Sequence, residues 1–157
     1  MLTLHPVDES NRSVLEALRT SPAQERFVST VADSLLEAVE AAACQAIAWG
    51  VYDGETPVGF VMIADEVDSS DCIPHFLWKL LIDERHQRRG YGTATLDLIV
   101  EYFRERPGVT EIRTSAGQGE GSPIPFYERY GFVSTGEIVF DDEVLLRLDL
   151  GDRATTS

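Results

Sequence analysis

A cluster of arginines beside two glycines contains the residues of this sequence best suited to bind an anion. Arg85, Arg88 and Arg89 lie close together, and Gly90 and Gly92 follow them. An apolar run precedes the cluster and a helical pattern follows it, which indicates a loop leading from a buried strand into a helix. The first amides of a helix lack intrahelical acceptors and carry partial positive charge, which suits phosphate. The sequence therefore predicts an anion site, since glycine also lets the backbone approach the anion closely.

The spacing of the glycines excludes two common phosphate-binding loops. A dinucleotide-binding fingerprint requires a third glycine, and position 95 is Thr. A nucleoside-triphosphate loop requires Gly-Lys followed by Ser or Thr, and no such sequence follows here. Two glycines alone would also suit an ordinary turn. The adjoining strand, the arginines and the helix start favour anion binding.

Strands and helices alternate around this loop. Apolar residues at every second position indicate strands, and apolar residues at helical spacing indicate helices. The predicted elements are a strand at 2–7, a short helix from Ser10 or Asn11 to Arg19, a helix at 21–43, a hairpin at 45–66, a buried strand at 75–83, a helix at 91–106, a strand at 109–116, a helix at 123–130 capped by Ser122, and a hairpin at 132–150. This order predicts a mixed α/β sheet in a single domain of residues 1–150, followed by a flexible tail at 151–157.

Composition and charge restrict the classes of partner. Asp and Glu number 27 against 13 Lys and Arg, which gives a net charge of −14. Because a surface with this negative charge repels nucleic-acid phosphates, we expect no nucleic-acid partner. The charge suits a small cationic molecule or a basic peptide, and it equally suits a protein that is acidic only for solubility. Without a signal sequence or an apolar run of roughly 20 residues, we expect a cytoplasmic protein with no membrane partner.

The two cysteines predict no metal site. Cys44 and Cys72 lack the CxxC or similar spacing of metal-binding motifs. Disulfides are rare in the cytoplasm because its thiols are kept reduced. We therefore predict two reduced, structural thiols.

Two motifs resemble those of the GNAT family of N-acetyltransferases. QRRGYG at residues 87–92 resembles the family's Q/R-x-x-G-x-G/A motif, and FYERYGF at 126–132 resembles its second signature. They lie in the family's order, with a helix and a strand between them. The upstream stretches PVGFVMI and LWKLLIDE extend the resemblance to a bacterial branch of spermine/spermidine or diamine acetyltransferases. The resemblance implies the GNAT fold, a mixed and mostly antiparallel central sheet with a splayed central strand pair and flanking helices.

The resemblance also implies acetyl-CoA as the acetyl donor. Backbone groups of Leu81, Ile82 and Asp83 would pair with the pantetheine arm, and a bulge nearby would splay this strand from the next one. An amide near Leu81 or Ile82 would stabilise the oxyanion. Where many family members carry Asn, this chain has Glu120, and Ser122 with the loop backbone is expected to replace that contact. The pyrophosphate would be held by Gln87, Arg88, Arg89, Gly90, Tyr91, Gly92 and Thr93.

Tyr127 is the predicted general acid. A phenol with a pKa of about 10 stays protonated at neutral pH, and the leaving thiolate, whose thiol has a pKa of roughly 8.5, needs a donor. His75 is the candidate base because an imidazole titrates near pH 6.5, at roughly neutral conditions. A core tyrosine and a surface histidine are the simpler alternatives. Glu66, Asp68 and Asp71 would hold the second ammonium of a polyamine.

The predicted function is acetyl-CoA-dependent transfer of an acetyl group to a primary amine of a small cationic acceptor, with spermine, spermidine or another diamine the first choice. An antibiotic amine, an amino acid or a protein N-terminus is the alternative acceptor. A protein of another class, a non-catalytic acyl-CoA-binding sensor, would share the same loop. A homodimer is expected because dimers are common in the family that the chain resembles.

Overall fold

The computed structural model describes residues 1–65 and 70–151. Within them, seven strands form one sheet, and there are four α-helices. The elements are β1 (Leu2–Pro6), α1 (Arg12–Glu16), α2 (Val31–Glu40), β2 (Ala46–Asp53), β3 (Thr56–Ala64), β4 (Phe76–Ile82), α3 (Tyr91–Arg104), β5 (Glu111–Gly117), α4 (Ile124–Tyr130), β6 (Val133–Val139) and β7 (Glu143–Asp149). In this described part of the chain, no helix is both long and apolar enough to span a membrane.

The sheet is mixed. Its strand order is β1-β2-β3-β4-β5-β7-β6. Neighbouring strands run antiparallel except β4 and β5, which run parallel. Parallel neighbours need a long crossover, and α3 supplies it between these two strands. The predicted mixed and mostly antiparallel sheet is confirmed.

The parallel pair in the middle of the sheet separates soon after it begins. Phe76 aligns with Arg113 and Leu77 with Thr114, and the register between the two strands stops there. Among the described residues, the remainder of β4 has no partner strand on that side. The splayed central pair implied by the family resemblance is therefore present, and it leaves one edge of β4 open.

A β-bulge lies at the point of separation. Against β3, Leu77 aligns with Ile63 and Lys79 aligns with Met62, so Trp78 is an extra residue in β4. A bulge bends its strand and increases the local twist. This bend turns the second half of β4 away from β5. The bulge lies earlier in the strand than predicted.

Both faces of β3 and β4 are buried. On one face these strands pack with α3 through Val61, Ile63, Leu77, Leu96, Ile99 and Phe103. On the other face they pack with α1 and α2 through Phe60, Met62, Leu81, Leu15, Leu18 and Val31. Successive residues of a strand point to opposite faces, so burial on both sides explains the nearly continuous apolar run of β4.

The segment predicted as one helix at 21–43 is interrupted, so that prediction is wrong. Pro22–Gln24 forms a single 3₁₀ turn, and α2 begins only after Thr30. The helix begins there because the Thr30 Oγ1 accepts a hydrogen bond from the Asp33 amide at 3.1 Å. Residues 25–30 instead line a cleft beside β4.

The first helix ends at Glu16, before the predicted end at Arg19. Two backbone contacts hold Arg19 outside the helix. Its amide donates to the Asp83 carboxylate at 3.4 Å, and its carbonyl accepts from the Glu84 amide at 2.7 Å. The chain between α1 and α2, residues 17–30, is named the α1–α2 segment below. These contacts attach its first residues to the loop that follows β4.

The two cysteines form a disulfide, so the prediction of reduced thiols is wrong. Their Cα atoms lie 5.5 Å apart. The β2–β3 hairpin brings the two regions together, because Ala46 aligns with Ala64 and the Asp65 amide donates to the Cys44 carbonyl at 3.1 Å. Cys44 thus lies beside the chain that leads to Cys72. The register of the strands brings the two cysteines together, and their spacing in the sequence does not reveal this.

Candidate active site

The N-terminus of α3 presents free backbone donors. Gly90 precedes the helix with a φ of +81°, and the Ala94 amide donates to the Gly90 carbonyl at 3.0 Å. The amides of residues 90–93 therefore have no acceptor within the helix. No side chain of the described residues caps them, and a Cβ added to Gly90 would meet no atom within 4 Å. These amides lie at the positive end of the helix dipole, and the space beside Gly90 is open, as an anion site requires.

The side chains of this loop divide between solvent and anchoring contacts. Arg88, Arg89 and Thr93 are exposed. Arg88 has a φ of +66°, a left-handed conformation uncommon outside glycine, and it contributes to the bend. The Tyr91 phenol donates to the Asp53 carboxylate at 2.6 Å, and this hydrogen bond raises the pKa of Tyr91. Tyr91 therefore fixes the loop to the β2–β3 hairpin and leaves only its backbone for a ligand.

Two further polar side chains brace the loop. The Gln87 side-chain amide donates to the Ile82 carbonyl at 2.9 Å and to the Gln24 side chain at 2.8 Å, which links the loop to β4 and to the α1–α2 segment. The buried Asp83 carboxylate accepts from the Arg85 amide and Nε, each at 3.0 Å. Burial alone would raise the pKa of Asp83, but these hydrogen bonds lower it overall. Both side chains are engaged by the protein itself.

Along the open edge of β4, only every second residue points its backbone N–H and C=O groups away from β3. The Asp83 amide donates to a β3 carbonyl at 2.9 Å, and the Leu81 carbonyl lies directly against Gly59 of β3. Backbone groups along a strand alternate between its two neighbours. Leu81 and Asp83 therefore face β3, whereas Leu80 and Ile82 face the gap. Of the three predicted residues only Ile82 faces the gap, and Leu80, which was not predicted, joins it because the backbone groups alternate.

A cleft of about 530 Å³ opens where β4 and β5 separate. Four parts of the chain that are distant in sequence form its walls. These are β4, the α1–α2 segment with the start of α2, the start of α4, and the adjoining ends of β5 and β7. The polar residues that line it are Arg19, Thr20, Glu25, Arg26, Ser29, Thr30, Asp33, Lys79, Ser115, Tyr127 and Glu143.

Tyr127 places a buried phenol in this cleft. The residue is 5% exposed, and burial raises the pKa of Tyr127 to about 12. The phenol hydrogen-bonds with Thr114, which opposes the shift, and the charge of Glu143 adds to it. The Thr114 hydroxyl in turn donates to the Leu77 carbonyl at 2.9 Å. Since Leu77 and Thr114 are the last aligned pair of β4 and β5, the phenol lies at the point of separation.

The comparison with known families decides the assignment. The profile described as "Acetyltransferase (GNAT) family" matches residues 12–132, most of the chain. The chain belongs to the GNAT family. It is an acetyltransferase, and the resemblance of its two motifs to this family is confirmed.

Relatives of this GNAT chain include polyamine acetyltransferases. Spermine/spermidine N(1)-acetyltransferase of Bacillus subtilis (strain 168) is 25% identical over 154 residues, which span 95% of this chain and 99% of that protein. An acetyltransferase structure from Thermus thermophilus matches with a TM-score of 0.70 at 21% identity, covering 95% of this chain and 97% of that one. The spermidine N-acetyltransferase of Vibrio cholerae in complex with CoA and spermine matches with a TM-score of 0.66 at 15% identity, covering 95% of each chain. These structural matches establish the GNAT fold.

His75 does not lie with the other predicted GNAT site residues. It precedes β4, at the end where the strand is still paired with β5, and it does not line the cleft. Its ring packs 5.8 Å from the ring of Phe103, and its buried Nδ1 has no hydrogen-bond partner among the described residues. Burial lowers the pKa of His75, although the charge of Asp65 opposes this shift. The structure places Tyr127 in the cleft lining and leaves His75 outside it. The α3 amides lie outside that lining as well, and the start of α3 approaches α4 where Gly92 meets the Phe126 ring.

The remaining predicted contacts have other surroundings. The Ser122 hydroxyl donates to the Gly117 carbonyl and accepts from the Ile124 amide, so it shapes the β5–α4 loop. Pro123, one residue later than predicted, occupies the N-cap of α4. Asp71 is exposed and does not line the cleft. Glu66 and Asp68, like the predicted tail from residue 152 onward, lie outside the described residues.

Several cleft residues were not predicted from the sequence. Lys79 was the residue with the clearest signal, as a single charge within the apolar run of β4. Its ammonium lies 3.1 Å from the Glu37 carboxylate and 2.9 Å from the Ser29 hydroxyl, which ties β4 to α2. Glu143 had no comparable signal, because it opens the last strand among other acidic residues. It lines the cleft beside Tyr127.

The β5–α4 loop meets the α1–α2 segment over the cleft, and glycine makes the contact possible. A Cβ on Gly121 would overlap the Ala23 carbonyl, and one on Gly119 would lie 2.6 Å from an Arg26 nitrogen. Both glycines also have positive φ. The two loops therefore pack closely against each other, and both contribute to the cleft lining through Arg26 and Pro123.

Proposed function

We propose that this acetyltransferase transfers the acetyl group of acetyl-CoA to the primary amine of a small acceptor. One observation carries the proposal: the open edge of β4 and the buried Tyr127 phenol border the separation of β4 and β5, and the free amides of α3 begin the helix that follows β4, where Gly92 meets the Phe126 ring. That arrangement suits a diphosphate at one end, an extended thioester arm between and a leaving sulfur at the other end. The proposal assigns one part of the donor to each feature.

We assign the residues that hold acetyl-CoA from the backbone groups that have no partner among the described residues. The amides of Gly90, Tyr91, Gly92 and Thr93 hold the pyrophosphate, and the exposed Arg88 and Arg89 add positive charge. Gln87, Leu81, Asp83 and Ser122 support the backbone around the site. Leu80 offers its backbone groups to the pantetheine arm, and Ile82 offers its amide, because its carbonyl already accepts from Gln87. The Leu80 amide, nearest to the separation, is suited to stabilise the oxyanion.

Tyr127 stabilises the leaving sulfur by a hydrogen bond. A phenol whose pKa is raised to about 12 is protonated throughout the physiological range. It is a weaker acid than a thiol with a pKa of roughly 8.5, so complete transfer of its proton to the thiolate is uphill. A donated hydrogen bond to the developing negative charge is therefore the role that burial favours.

A polyamine is the first candidate acceptor. The Bacillus subtilis relative is named for spermine and spermidine, and it spans nearly the same length. The cleft contributes three carboxylates, those of Glu25, Asp33 and Glu143, to which ammonium groups would bind. We infer that Glu25 and Asp33, which are exposed at the mouth, hold the distal ammonium and leave the reacting nitrogen free of their charge.

A second acceptor class is favoured by two arginines. Arg19 and Arg26 line the same cleft, and among the described residues no carboxylate forms an ion pair with either guanidinium. The Arg19 guanidinium donates to backbone carbonyls, and that of Arg26 lies 4.5 Å from the centre of the Phe27 ring. A guanidinium without an ion pair keeps donors that suit a carboxylate. An amine that also carries a carboxylate, such as an amino acid, is therefore the alternative.

A panel of amines assayed for CoA release distinguishes these acceptors. Spermidine, spermine and cadaverine test the polyamine proposal, and amino acids and a short peptide with a free N-terminus test the alternative. We expect thiol release that requires amine, with the largest kcat/KM for a polyamine. Tight acetyl-CoA binding without turnover of any amine would instead indicate the sensor.

A further inference from the structure

Glu143 is a carboxylate in the lining of the cleft that also contains Tyr127. It is the first residue of β7 and aligns with Gly117 at the end of β5. It lines the cleft together with Tyr127, and its charge raises the pKa of that phenol. Two residues far apart in sequence therefore face the same reacting volume.

The Glu143 carboxylate is oriented and keeps capacity for a further hydrogen bond. Its Oε1 accepts from the Ser115 hydroxyl at 2.8 Å. Among the described residues, no lysine or arginine forms an ion pair with it. An ionised carboxylate accepts about four hydrogen bonds. One position is used by Ser115, and the half-buried group remains available to a donor in the cleft.

The other cleft carboxylates belong to a different wall. Glu25 lies in the α1–α2 segment and Asp33 in α2, and both are exposed. His75, predicted as the base, lies outside the cleft. Among the elements on the Tyr127 side of the cleft, β5, β7 and α4, Glu143 is the carboxylate in the cleft lining.

We propose that Glu143 is the catalytic residue that binds the reacting nitrogen of the acceptor and takes the proton this nitrogen loses on attack. The inference rests on the acetyl transfer proposed above. Ser115 is a positioning residue, because it acts through the carboxylate that it holds. The role requires a carboxylate at this position and not merely a polar side chain of the same shape.

The proton balance restricts when Glu143 acts. An ordinary carboxylate is far too weak a base to deprotonate a resting alkylammonium ion, whose pKa is about 10. The acceptor therefore reacts from its small neutral fraction. When its nitrogen bonds to the thioester carbon, the carbonyl electron pair moves to oxygen and the nitrogen becomes positively charged and much more acidic. Glu143 then accepts one N–H proton.

Collapse of this adduct completes the balance. The carbonyl re-forms, the carbon–sulfur bond breaks, and its electron pair leaves with sulfur, which accepts a hydrogen bond from Tyr127. Thiolate protonation uses the proton delivered to Glu143, directly or through solvent. A neutral amine and an acetyl thioester thus give an amide and a thiol, with no further reactant. An acceptor that arrives as ammonium releases one proton to solvent.

Two substitutions of Glu143 test the role. Glu143→Gln keeps the shape and the contact with Ser115 but removes the basic oxygen, and we expect kcat to fall by about 10²-fold or more. Glu143→Ala leaves space for a small carboxylate, and added formate should restore part of its kcat while leaving wild type and Glu143→Gln unchanged. Ser115→Ala should lower kcat by roughly 5-fold, since it disturbs only the orientation of the carboxylate.

Controls separate catalysis from folding. Glu128→Gln removes the same charge next to Tyr127 in sequence, but Glu128 is exposed and outside the cleft lining, so turnover should stay within about twofold of wild type. Thermal unfolding and acetyl-CoA affinity are measured for each variant. Should both Glu143 variants fail to fold, Ser115→Ala decides, and unchanged turnover in it overturns the proposal.

The outcomes distinguish this inference from the function on which it rests. A wild type that acetylates an amine, with Glu143→Gln equally active or Glu143→Ala unresponsive to formate, overturns the assignment of Glu143 and leaves the acetyl transfer standing. A wild type that acetylates no amine overturns both. Loss of turnover in Glu143→Gln with formate rescue of Glu143→Ala supports both.

Discussion

Replacing Tyr127 with Phe removes one hydroxyl from a buried ring and tests the donor to the leaving sulfur. The Thr114 hydroxyl already donates to the Leu77 carbonyl, so loss of the phenol leaves no buried donor without an acceptor. The ring keeps its packing against Phe132, whose centroid lies 5.5 Å away. We therefore expect the free energy of unfolding to change by no more than about 1 kcal/mol.

The expected loss of activity follows from the pKa of Tyr127. With the phenol at about 12 and the thiol at roughly 8.5, complete proton transfer would be uphill by about 5 kcal/mol at 1.36 kcal/mol per unit. The phenol therefore contributes a hydrogen bond to negative charge in a buried site, which is worth roughly 3–4 kcal/mol at the transition state. Tyr127→Phe should lower kcat by about 10²- to 10³-fold with acetyl-CoA affinity nearly unchanged.

The assay follows thiol release at saturating amine, with acetyl thioesters of progressively more acidic thiols as donors. The penalty in Tyr127→Phe should shrink along this series, because a more stable thiolate needs less help in leaving. Tyr130→Phe is the matched control: it lies on the same helix, and its phenol donates to the Asp97 carboxylate at 2.6 Å at the surface. Equal turnover in Tyr127→Phe and wild type would refute this reasoning. A loss of turnover that is the same for all donor thiols would also refute it.

The pH dependence provides a further test of the same residue. Because burial raises the pKa of Tyr127 to about 12, its ionisation should cause no decline in kcat below about pH 10, where an ordinary phenol would begin to ionise. The rate should instead rise as the acceptor amine loses its proton. A decline with a midpoint between pH 9 and 10 that disappears in Tyr127→Phe would contradict the assigned environment.

Two predictions concern the loop that follows β4. A Cβ at Gly92 would lie 3.0 Å from the Phe126 ring, so Gly92→Ala should destabilise the protein by about 1–3 kcal/mol. Adding Phe126→Leu should recover part of this loss of stability, as measured by thermal unfolding. No recovery would mean that the contact with Phe126 is not the cause. Gly90→Ala meets no atom, and it should cost only about 1–2 kcal/mol through its positive φ. The lowered pKa of Asp83 stabilises the fold above about pH 4, where an unfolded carboxyl is ionised, and this stabilisation is lost as the pH falls through the lower folded value. Asp83→Asn should therefore be less stable than wild type at pH 7, and the difference in melting temperature should narrow below about pH 4; a constant difference would contradict the hydrogen bonds with Arg85.

Much of the fold was predictable because the buried face of a strand or helix places apolar residues at regular spacing in the sequence. The apolar run of β4 and the helical spacing of α3 predicted both elements to within a few residues. The α3 anion loop was equally local, since its glycines, arginines and helix start are consecutive. The 21–43 helix failed for a physical reason: Phe27 and Val28 have helical spacing but line the cleft, and Thr30 starts a new helix.

The site itself was only partly predictable. Tyr127 belongs to a contiguous motif and lies in the cleft, whereas His75, inferred from its side-chain chemistry alone, lies outside it. Leu81, Ile82 and Asp83 were predicted together for the open edge of β4, but consecutive backbone groups alternate along a strand, so Ile82 faces the gap while Leu81 and Asp83 face β3. Which of them face the gap depends on the extra residue, Trp78. Nothing local to β4 marks that extra residue.

The sequence by itself determined most of the segments that form strands and helices, predicted where an anion can meet free amides, and showed to which family the motifs point. These properties depend on neighbours within a turn or two of the chain. Only the tertiary structure decided that Cys44 bonds to Cys72 and that Glu143 faces Tyr127. Both pairings depend on strand register and on the order of strands in the sheet, and those are set by the packing of the whole core.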